Sequence, residues 1–389
     1  MDPANRIVTL ANPMRIETSA MTLSCVQRND PDLRLLRVSN TGLIDTDNYW
    51  PNTLTLTRSY WPKDSADLAK LGDAIGANTS LLQLNIHNAH ELVDMAANNE
   101  DFFEGLKHNT SISRLSLVDS NLSGGMGRDI LNAVVANNSN LRSIGLHRCA
   151  LGNGGGGVLA SAVTGCTNMD HFTLVSCNID DGIIADFFPG IRGLHQLRTL
   201  DLKCNTFGRA GCEALATLLK ESNSNLCHLR LGRNIRIDDN CATILADALK
   251  GKNKLKILRF YPNNTITGRG WDAFSEVLCD TSSVNNTFLS NHRLILENHD
   301  RFTTNLSSLL RLNLGTDKKQ VATQKILRHH THLDMKPFLE WDLRVLPVAV
   351  SWFNRVRDDA RNDESNVDAK KLSSIYQFVR ALPIECVTP

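Results

Sequence analysis

The stretch Leu197-Arg198-Thr199-Leu200-Asp201-Leu202, followed by Asn205 and Phe207, decides the fold of this chain. Its apolar and polar residues alternate, which is typical of a short strand with one buried face. Asn205 lies where the chain leaves that strand, and its amide can bond backbone groups that would otherwise lack partners. Apolar residues at helical spacing follow from Ala214 to Leu219. The stretch therefore predicts a strand, a turn and a helix.

The same pattern, L-x-x-L-x-L-x-x-[N/C/S]-x-[L/I/F], recurs along the chain. Successive copies begin 31, 29, 28, 28, 29, 29 and 29 residues apart, by subtraction of their first residue numbers. This periodicity indicates a solenoid, because one strand and one helix cannot bury their apolar sides alone and must stack on neighbours. The copies begin at Leu81, Ile112, Leu141, Met169, Leu197, Leu226, Leu255 and Val284.

The ladder and its stride of 28–29 residues resemble the ribonuclease-inhibitor-like class of leucine-rich repeat. That class alternates Asn and Cys at the turn, as Cys149, Cys177 and Asn205 do here. The resemblance covers residues 51–300 and implies an α/β fold. We expect a horseshoe-shaped leucine-rich repeat solenoid with a parallel inner sheet, outer helices and a helical C-terminal cap. Function stays open, because the class includes inhibitors, GTPase-activating proteins, immune-receptor sensor domains and scaffolds.

Three regions are expected along the chain. Residues 1–50 form an N-terminal cap, residues 51–304 form the leucine-rich repeat solenoid, and residues 305–389 form a helical C-terminal cap. The copy at Val284 is expected to be the last strand of the solenoid, with Phe288, Ser290 and Asn291 on its outward side. In the C-terminal region, Trp341 and Trp352 are cap residues or, if exposed, anchors of a docking or oligomerisation helix.

Composition excludes several classes of protein. The formal net charge of +1 argues against a molecule that binds polyanions with its whole surface. No apolar run reaches about 18 residues, so no membrane span is expected, and the N-terminus lacks the pattern of a signal peptide. The sequence contains 10 cysteines, several at equivalent repeat positions, which favours reduced thiols. We therefore expect a cytoplasmic or nuclear protein.

No catalytic site, cofactor or metal ion is expected. The run Gly152–Gly157 lacks the Gly-Lys-Ser/Thr ending of a phosphate loop and follows a ladder turn, so it predicts a flexible strand-to-helix connection. His329, His330 and His332 lie in a predicted loop rather than at fixed spacing on one face, which disfavours a metal site.

Charge is distributed unevenly along the chain. Residues 81–196 contain 6 Lys/Arg and 11 Asp/Glu, whereas residues 197–262 contain 12 Lys/Arg and 6 Asp/Glu. Outward strand side chains should line the concave face, so its second half is expected to be basic. Because Arg binds carboxylates in a bidentate manner, the expected partner is a protein with an acidic segment, rather than a membrane or a nucleic acid. The candidate partner-binding residues are Arg198, Lys203, Arg230, Arg233, Lys256, Arg259 and Tyr261.

The leading hypothesis is a non-enzymatic protein–protein interaction scaffold. The alternative is that the basic residues contact only solvent and bind no partner. A second hypothesis is a regulator that resembles the leucine-rich-repeat activators of the nuclear-transport GTPase. Those activators carry a strongly acidic tail, whereas Asp358–Asp368 is short and interrupted by Arg361. A third hypothesis, the sensor region of a nucleotide-binding immune receptor, requires an ATPase module with a phosphate loop, which the sequence does not contain.

Overall fold

The computed structural model describes residues 35–37, 53–56, 65–87, 100–123, 125–136, 139–252, 254–261, 265–297 and 302–330. Within them the fold is α/β, with short parallel strands alternating with helices along the chain, as predicted. The chain divides into two compact units. The first unit holds residues 1–214 and 222–234, and the second unit holds residues 215–221 and 235–389.

Eight parallel strands form the sheet of the first unit, and each pairs with the next in sequence. They are β1 (Leu35–Arg37), β2 (Thr53–Leu56), β3 (Gln83–His87), β4 (Arg114–Val118), β5 (Ser143–His147), β6 (His171–Val175), β7 (Thr199–Asp201) and β8 (His228–Arg230). The helices that follow β2 to β7 are α1 (Ser65–Ala77), α2 (Glu100–Lys107), α3 (Gly125–Ala136), α4 (Gly155–Val163), α5 (Asp181–Arg192) and α6 (Arg209–Lys220).

The register of the sheet stacks equivalent apolar residues of successive repeats. Leu115 pairs with Ile144, Ile144 with Phe172, Phe172 with Leu200, and Leu200 with Leu229. All five are at most 1% exposed. Because the next strand residue faces the other way, the residues between these rows lie on the opposite face of the sheet. They are half-buried in β3 and β4, whereas Thr199 and Asp201 of β7 are buried. That opposite face positions the candidate site.

The turns after β4 to β8 each place one residue in the left-handed region. Asp119, Arg148, Ser176, Cys204 and Arg233 occupy equivalent positions there, with φ between 51° and 59°. This conformation is unfavourable for residues other than glycine. It is retained because it directs backbone N–H groups to the next repeat; the Ser176 amide, for example, donates to the Lys203 carbonyl at 3.1 Å.

The ladder position after that residue joins neighbouring repeats, as the sequence predicted. The Asn205 side-chain amide donates to the Leu174 carbonyl at 2.7 Å and to the Leu202 carbonyl at 3.0 Å. Its oxygen accepts from the backbone amides of Cys177 and Ile179 at 3.0 and 3.2 Å. The Cys177 thiol takes the same place one repeat earlier and donates to the Leu146 carbonyl at 3.3 Å. Amide and thiol therefore serve one purpose with different numbers of bonds.

The glycine run differs from the predicted flexible connection. Gly152 and Gly154 have positive φ and form the turn, but Gly155, Gly156 and Gly157 begin α4. A Cβ on Gly156 would lie 2.3 Å from the Ile183 carbonyl oxygen, so this glycine lets α4 approach α5 closely. The run is therefore partly a helix-packing feature.

In the second unit, β9 (Ile257–Arg259) pairs in parallel with β10 (Ile295–Glu297). Five of the described helices lie wholly in this unit. They are α7 (Asp239–Leu249), α8 (Gly268–Leu278), α9 (Val284–Leu289), α10 (Thr304–Asn313) and α11 (Lys318–His329). The last two overlap the segments Leu306–Leu314 and Val321–Arg328, where the spacing of apolar residues predicts helices. Among the described residues, no helix combines the length and hydrophobicity needed to cross a bilayer.

The predicted strand at Val284 is wrong. Val284–Leu289 is a helix whose first turn is capped by Ser283, because the Ser283 hydroxyl accepts from the Asn286 amide at 3.0 Å. The next strand is β10, in which Leu296 pairs with Leu258, 38 residues earlier by subtraction. Phe288 and Asn291 consequently lie in or near α9, and Asn291 is buried.

Lys325 is fully buried at the end of the repeats and has no carboxylate partner among the described residues. Its ammonium donates to the Leu278 carbonyl at 2.6 Å and to the Asn313 side-chain oxygen at 2.7 Å. The Asn291 carbonyl and the His292 Nδ1 lie 3.4 and 3.2 Å away. Burial lowers the pKa of Lys325 to about 7. The predicted cap helices around Trp341 and Trp352, and most of the predicted N-terminal cap, lie outside the described residues.

Candidate functional site

The open face of the first unit is the sheet face whose side chains alternate with the buried rows. Four of the predicted binding residues lie on or beside β7 and β8 of this sheet. Arg198 directly precedes β7, Lys203 follows it, Arg230 ends β8, and Arg233 follows β8 in the left-handed turn position. The structure therefore places these four on two adjacent strands and their ends.

Asp201 organises two of these cations. It lies on the same face but is only 4% exposed. Its carboxylate accepts from Arg230 Nη1 at 3.2 Å and from the Lys203 backbone amide at 3.1 Å, and Lys203 Nζ lies 3.8 Å away. A buried carboxylate would be costly without such partners. Asp201 thus holds Arg230 and Lys203 in place and offsets part of their charge.

Arg198 and Arg233 are the exposed cations of this group. Neither forms an ion pair with any residue that the structure describes. Arg198 and Arg233 therefore flank a group of Asp201, Lys203 and Arg230, in which the carboxylate offsets part of the positive charge. The net formal charge of the five side chains is +3, from four cations and one carboxylate.

The rest of the open face is close to neutral. Burial lowers the pKa of His147 below its usual value, against the opposing effect of Asp201, and burial also lowers the pKa of His87. Both imidazoles are therefore neutral at pH 7. Arg148 is bound by the Asp119 carboxylate through two bonds of 2.5 and 2.7 Å. These groups on β3 and β5 and in the turns after β4 and β5 add little net charge, and the charge contrast along the open face stays a prediction.

The second unit holds the other three predicted residues. Lys256 is exposed before β9, and Tyr261 is 60% exposed after it. Arg259 is bound by Glu297 on β10, with Nη2 2.8 Å from Oε1. Sequence reasoning missed Glu297 because the last strand was placed at Val284. The alternation of buried Leu294 and Leu296 is the signal that could have found it.

A cleft of about 480 Å³ lies beside the glycine run in the first unit. The start of α4 offers backbone amides that favour anions. Asp180 and Asp186 line the same cleft and disfavour them. The opposing preferences favour no ligand class. The lining also includes Leu151, Gly152, Cys177 and Ile183.

The described residues contain no cluster of three or more His, Cys, Asp or Glu side chains able to hold a metal ion. In the histidine run, His330 is buried and its Nε2 lies 2.8 Å from the Thr287 hydroxyl. That contact gives His330 a structural partner. His332 and the acidic stretch Asp358–Asp368 lie outside the described residues.

Comparison with known proteins gives partial relatives. A scan against protein-family models finds no match. The chain is 31% identical over 153 residues to mouse (Mus musculus) NACHT, LRR and PYD domains-containing protein 14, covering 37% of this chain and 14% of that protein. It is 28% identical over 151 residues to mouse NACHT, LRR and PYD domains-containing protein 5, covering 39% of this chain and 13% of that protein. The chain thus spans only about a seventh of each relative.

Among solved structures, an internalin from Listeria monocytogenes superimposes with a TM-score of 0.37 at 17% identity, over 66% of this chain and 71% of that chain. The names of both mouse relatives include leucine-rich repeats. Together with the repeated strand, turn and helix, they support a leucine-rich repeat protein.

Proposed function

We propose that this chain is a non-enzymatic protein–protein interaction scaffold that binds an acidic segment of a partner protein. The observation that carries the proposal is the basic group on β7 and β8 of the open face. Arg198 and Arg233 are exposed there without an ion-pair partner among the described residues, and Lys203 and Arg230 are oriented by Asp201. Lys256, Arg259 and Tyr261 of the second unit are proposed as further contacts.

Carboxylates are the ligand class that this arrangement favours. Arg presents a planar fork that matches a carboxylate, and it retains its charge at every physiological pH. Arg230 already donates one hydrogen bond, from Nη1, to the Asp201 carboxylate of its own unit. Arg198 and Arg233 offer the same chemistry to a carboxylate from outside. An extended segment with separated acidic residues would contact both arginines.

The repeats are proposed to be of the ribonuclease-inhibitor-like class, because in the first unit the paired apolar residues from Leu115 to Leu229 are 29, 28, 28 and 29 positions apart by subtraction. A cytoplasmic or nuclear location is proposed with it, because the thiols at ladder positions serve as buried hydrogen-bond donors. No described feature favours the GTPase-regulator alternative.

The test compares two charge reversals of equal size. In Arg198→Glu/Arg233→Glu the exposed cations of the open face are reversed; in the control, Arg192→Glu/Arg209→Glu, exposed cations of α5 and α6 are reversed. Arg230 is left intact, because its loss would leave the buried Asp201 carboxylate poorly compensated. Proteins captured from native lysate by wild type and both variants are quantified by mass spectrometry.

We expect a protein with an acidic segment to be lost from the face variant alone. A synthetic peptide of that segment should then bind the face variant at least about 10-fold more weakly, which corresponds to about 1.4 kcal/mol. Its affinity for wild type should fall as salt is raised, because exposed charges are screened. Identical captured sets, or a lost protein without an acidic segment, would contradict the proposal.

A further inference from the structure

Three neighbouring turns of the second unit form one continuous edge, which we call the basic edge. They are the turn from α7 to β9, the turn from α9 to β10 and the turn from α10 to α11. Asn291 links the first two, since its side-chain amide donates to the Lys252 carbonyl at 2.7 Å. Asn313 links the last two, since its amide donates to the carbonyls of Asn291 and Leu294 at 3.2 and 2.9 Å. The turns therefore have fixed neighbours.

Each turn contributes cations to this edge. The first carries Lys252, Lys254 and Lys256 within five residues, and the last two are exposed. The second carries the exposed Arg293. The third carries Lys318, whose ammonium donates to the carbonyls of Asn313 and Gly315 at 2.8 and 2.6 Å. Five cations thus lie along three hydrogen-bonded turns.

Two carboxylates in or beside these turns, Asp280 and Asp317, bind backbone and hydroxyl groups. Asp317 accepts from the backbone amides of Lys319 and Gln320 at the start of α11. Asp280 accepts from the amide and hydroxyl of Ser282. Lys256 and Arg293 have no ion-pair partner among the residues that the structure describes. Counted with Asp280 and Asp317, the three turns and the start of α11 carry these five cations and two carboxylates.

Repulsion within the edge agrees with this excess. Burial lowers the pKa of Lys318, and the nearby Arg293 lowers it further. Burial lowers the pKa of His292 to about 4, and Lys325 and Lys318 act in the same direction. A cation that is destabilised by other cations is stabilised when an anion approaches.

An exposed leucine lies inside this cationic edge. Leu314 is 65% exposed although its backbone is fixed, since its amide donates to the Arg311 carbonyl and Lys318 bonds the residues on both sides of it. A nucleic acid would match the cations but offer nothing to a leucine at this position. A bilayer with anionic headgroups offers both phosphate charges and an apolar region beneath them.

We propose that the basic edge docks this protein peripherally on an anionic lipid surface, with Leu314 entering the headgroup region and the five cations contacting lipid phosphates. Lysines suit this partner, because a compact ammonium binds phosphate as a point charge. The sequence alone predicts no membrane partner, because the cations are spread over three turns that only the folded chain brings together. This proposal does not depend on the acidic-segment hypothesis.

Co-sedimentation of the full chain with lipid vesicles tests the proposal. The vesicles consist of phosphatidylcholine alone or of phosphatidylcholine with phosphatidylserine. One variant, Lys254→Glu/Arg293→Glu, reverses two edge charges, and another, Leu314→Ser, removes the apolar side chain. The matched control, Lys220→Glu/Arg269→Glu, reverses two exposed charges on α6 and α8. Circular dichroism verifies that each variant folds.

We expect wild type to bind only the vesicles that contain phosphatidylserine. The edge charge variant should bind at least about 10-fold more weakly, Leu314→Ser at least about threefold more weakly, and the control within about twofold of wild type. Arg198→Glu/Arg233→Glu should bind vesicles as wild type does, which separates this proposal from the proposed function.

Four outcomes would overturn the proposal. One is the absence of vesicle binding at low salt. Another is equal loss in the edge variant and the control, which indicates attraction by general charge. A third is that Leu314→Ser binds vesicles as wild type does. If that variant is also less stable than wild type, another part of the chain covers the leucine. The last is that wild type binds a single-stranded oligonucleotide but not vesicles, and that the edge charge variant no longer binds the oligonucleotide.

Discussion

The two units stabilise the buried carbonyls between their repeats in different ways. Inside the first unit, a neutral side chain at the ladder position performs this task in the repeats of β5 to β8, as Asn205 and Cys177 do. At the end of the repeats in the second unit, the charged Lys325 performs it, together with Asn313. The first arrangement is periodic, and the second occurs where the period stops.

The difference follows from what each position must reach. Within the stack, the next repeat always presents its backbone at the same spacing, so a short side chain suffices. After β10 the following helices α10 and α11 have no such spacing. The long side chain of Lys325 spans from α11 to the last carbonyl of α8, where a positive charge is also favoured by the helix dipole. The fold therefore contains a desolvated amine, with its unfavourable burial, at the point where the repeats end.

The largest expected effect is that of removing the ladder amide of Asn205. In Asn205→Ala, two carbonyls and two backbone amides, those of Leu174, Leu202, Cys177 and Ile179, lose a buried partner. Each buried unsatisfied group costs about 1–3 kcal/mol, and partial rearrangement reduces the sum. We expect the free energy of unfolding to fall by about 4 kcal/mol, measured by urea denaturation.

A matched control is Asn225→Ala. Asn225 is exposed and its amide donates to the His195 carbonyl at 2.8 Å. Water can replace that bond, so the loss should stay below about 1 kcal/mol. A loss below about 1 kcal/mol for Asn205→Ala as well would show that the ladder amide does not hold the repeats together.

Lys325 should make the stability of the second unit depend on pH. Its pKa is lowered from 10.5 to about 7 in the folded state. Between these values the unfolded chain binds a proton that the folded chain does not, so stability rises with pH. We expect the free energy of unfolding to increase by about 2 kcal/mol from pH 7 to pH 9, relative to the variant Lys325→Met.

The neighbouring groups do not produce this slope. Burial keeps His292 neutral in that range, with a pKa of about 4, and raises the pKa of Cys279. Lys318, whose pKa is lowered, is present in both proteins and is subtracted by the comparison with Lys325→Met. Parallel curves of unfolding free energy against pH for the two proteins would mean that Lys325 stays protonated when folded.

The sequence predicts the periodic part of this molecule well and the end of the period badly. Residues such as Asn205 and Leu200 carry their structural role in their spacing, because every repeat places them alike. Val284 matched the same spacing by coincidence, with Thr287 and Leu289 at apolar positions. A single N-cap, Ser283, decided for a helix instead. At this position the N-cap favours a helix and the ladder spacing favours a strand. No regular repeat follows that would stabilise the strand.

The candidate site shows the same limit. The spacing predicts which side chains lie on the open face, and Arg198 and Arg233 are exposed as expected. The sequence of one strand does not show which side chains of the neighbouring strand it contacts. The ion pairs of Arg230 with Asp201 and of Arg259 with Glu297 are therefore seen only in the structure. The same holds for Lys325, which reads as a polar helix residue in the sequence and is fully buried in the fold.

The smallest expected effect belongs to the thiol ladder. Cys177 donates to the Leu146 carbonyl at 3.3 Å, and its sulfur is a weaker acceptor than the Asn205 oxygen, which binds two backbone amides at 3.0 and 3.2 Å. The Cys149 thiol and burial both raise the pKa of Cys177, so it remains a protonated, weak donor. Cys177→Ala should therefore lower the free energy of unfolding by only about 1 kcal/mol, again measured in urea. A loss equal to that of Asn205→Ala would mean that filling the ladder position, rather than the number of bonds made there, holds adjacent repeats together.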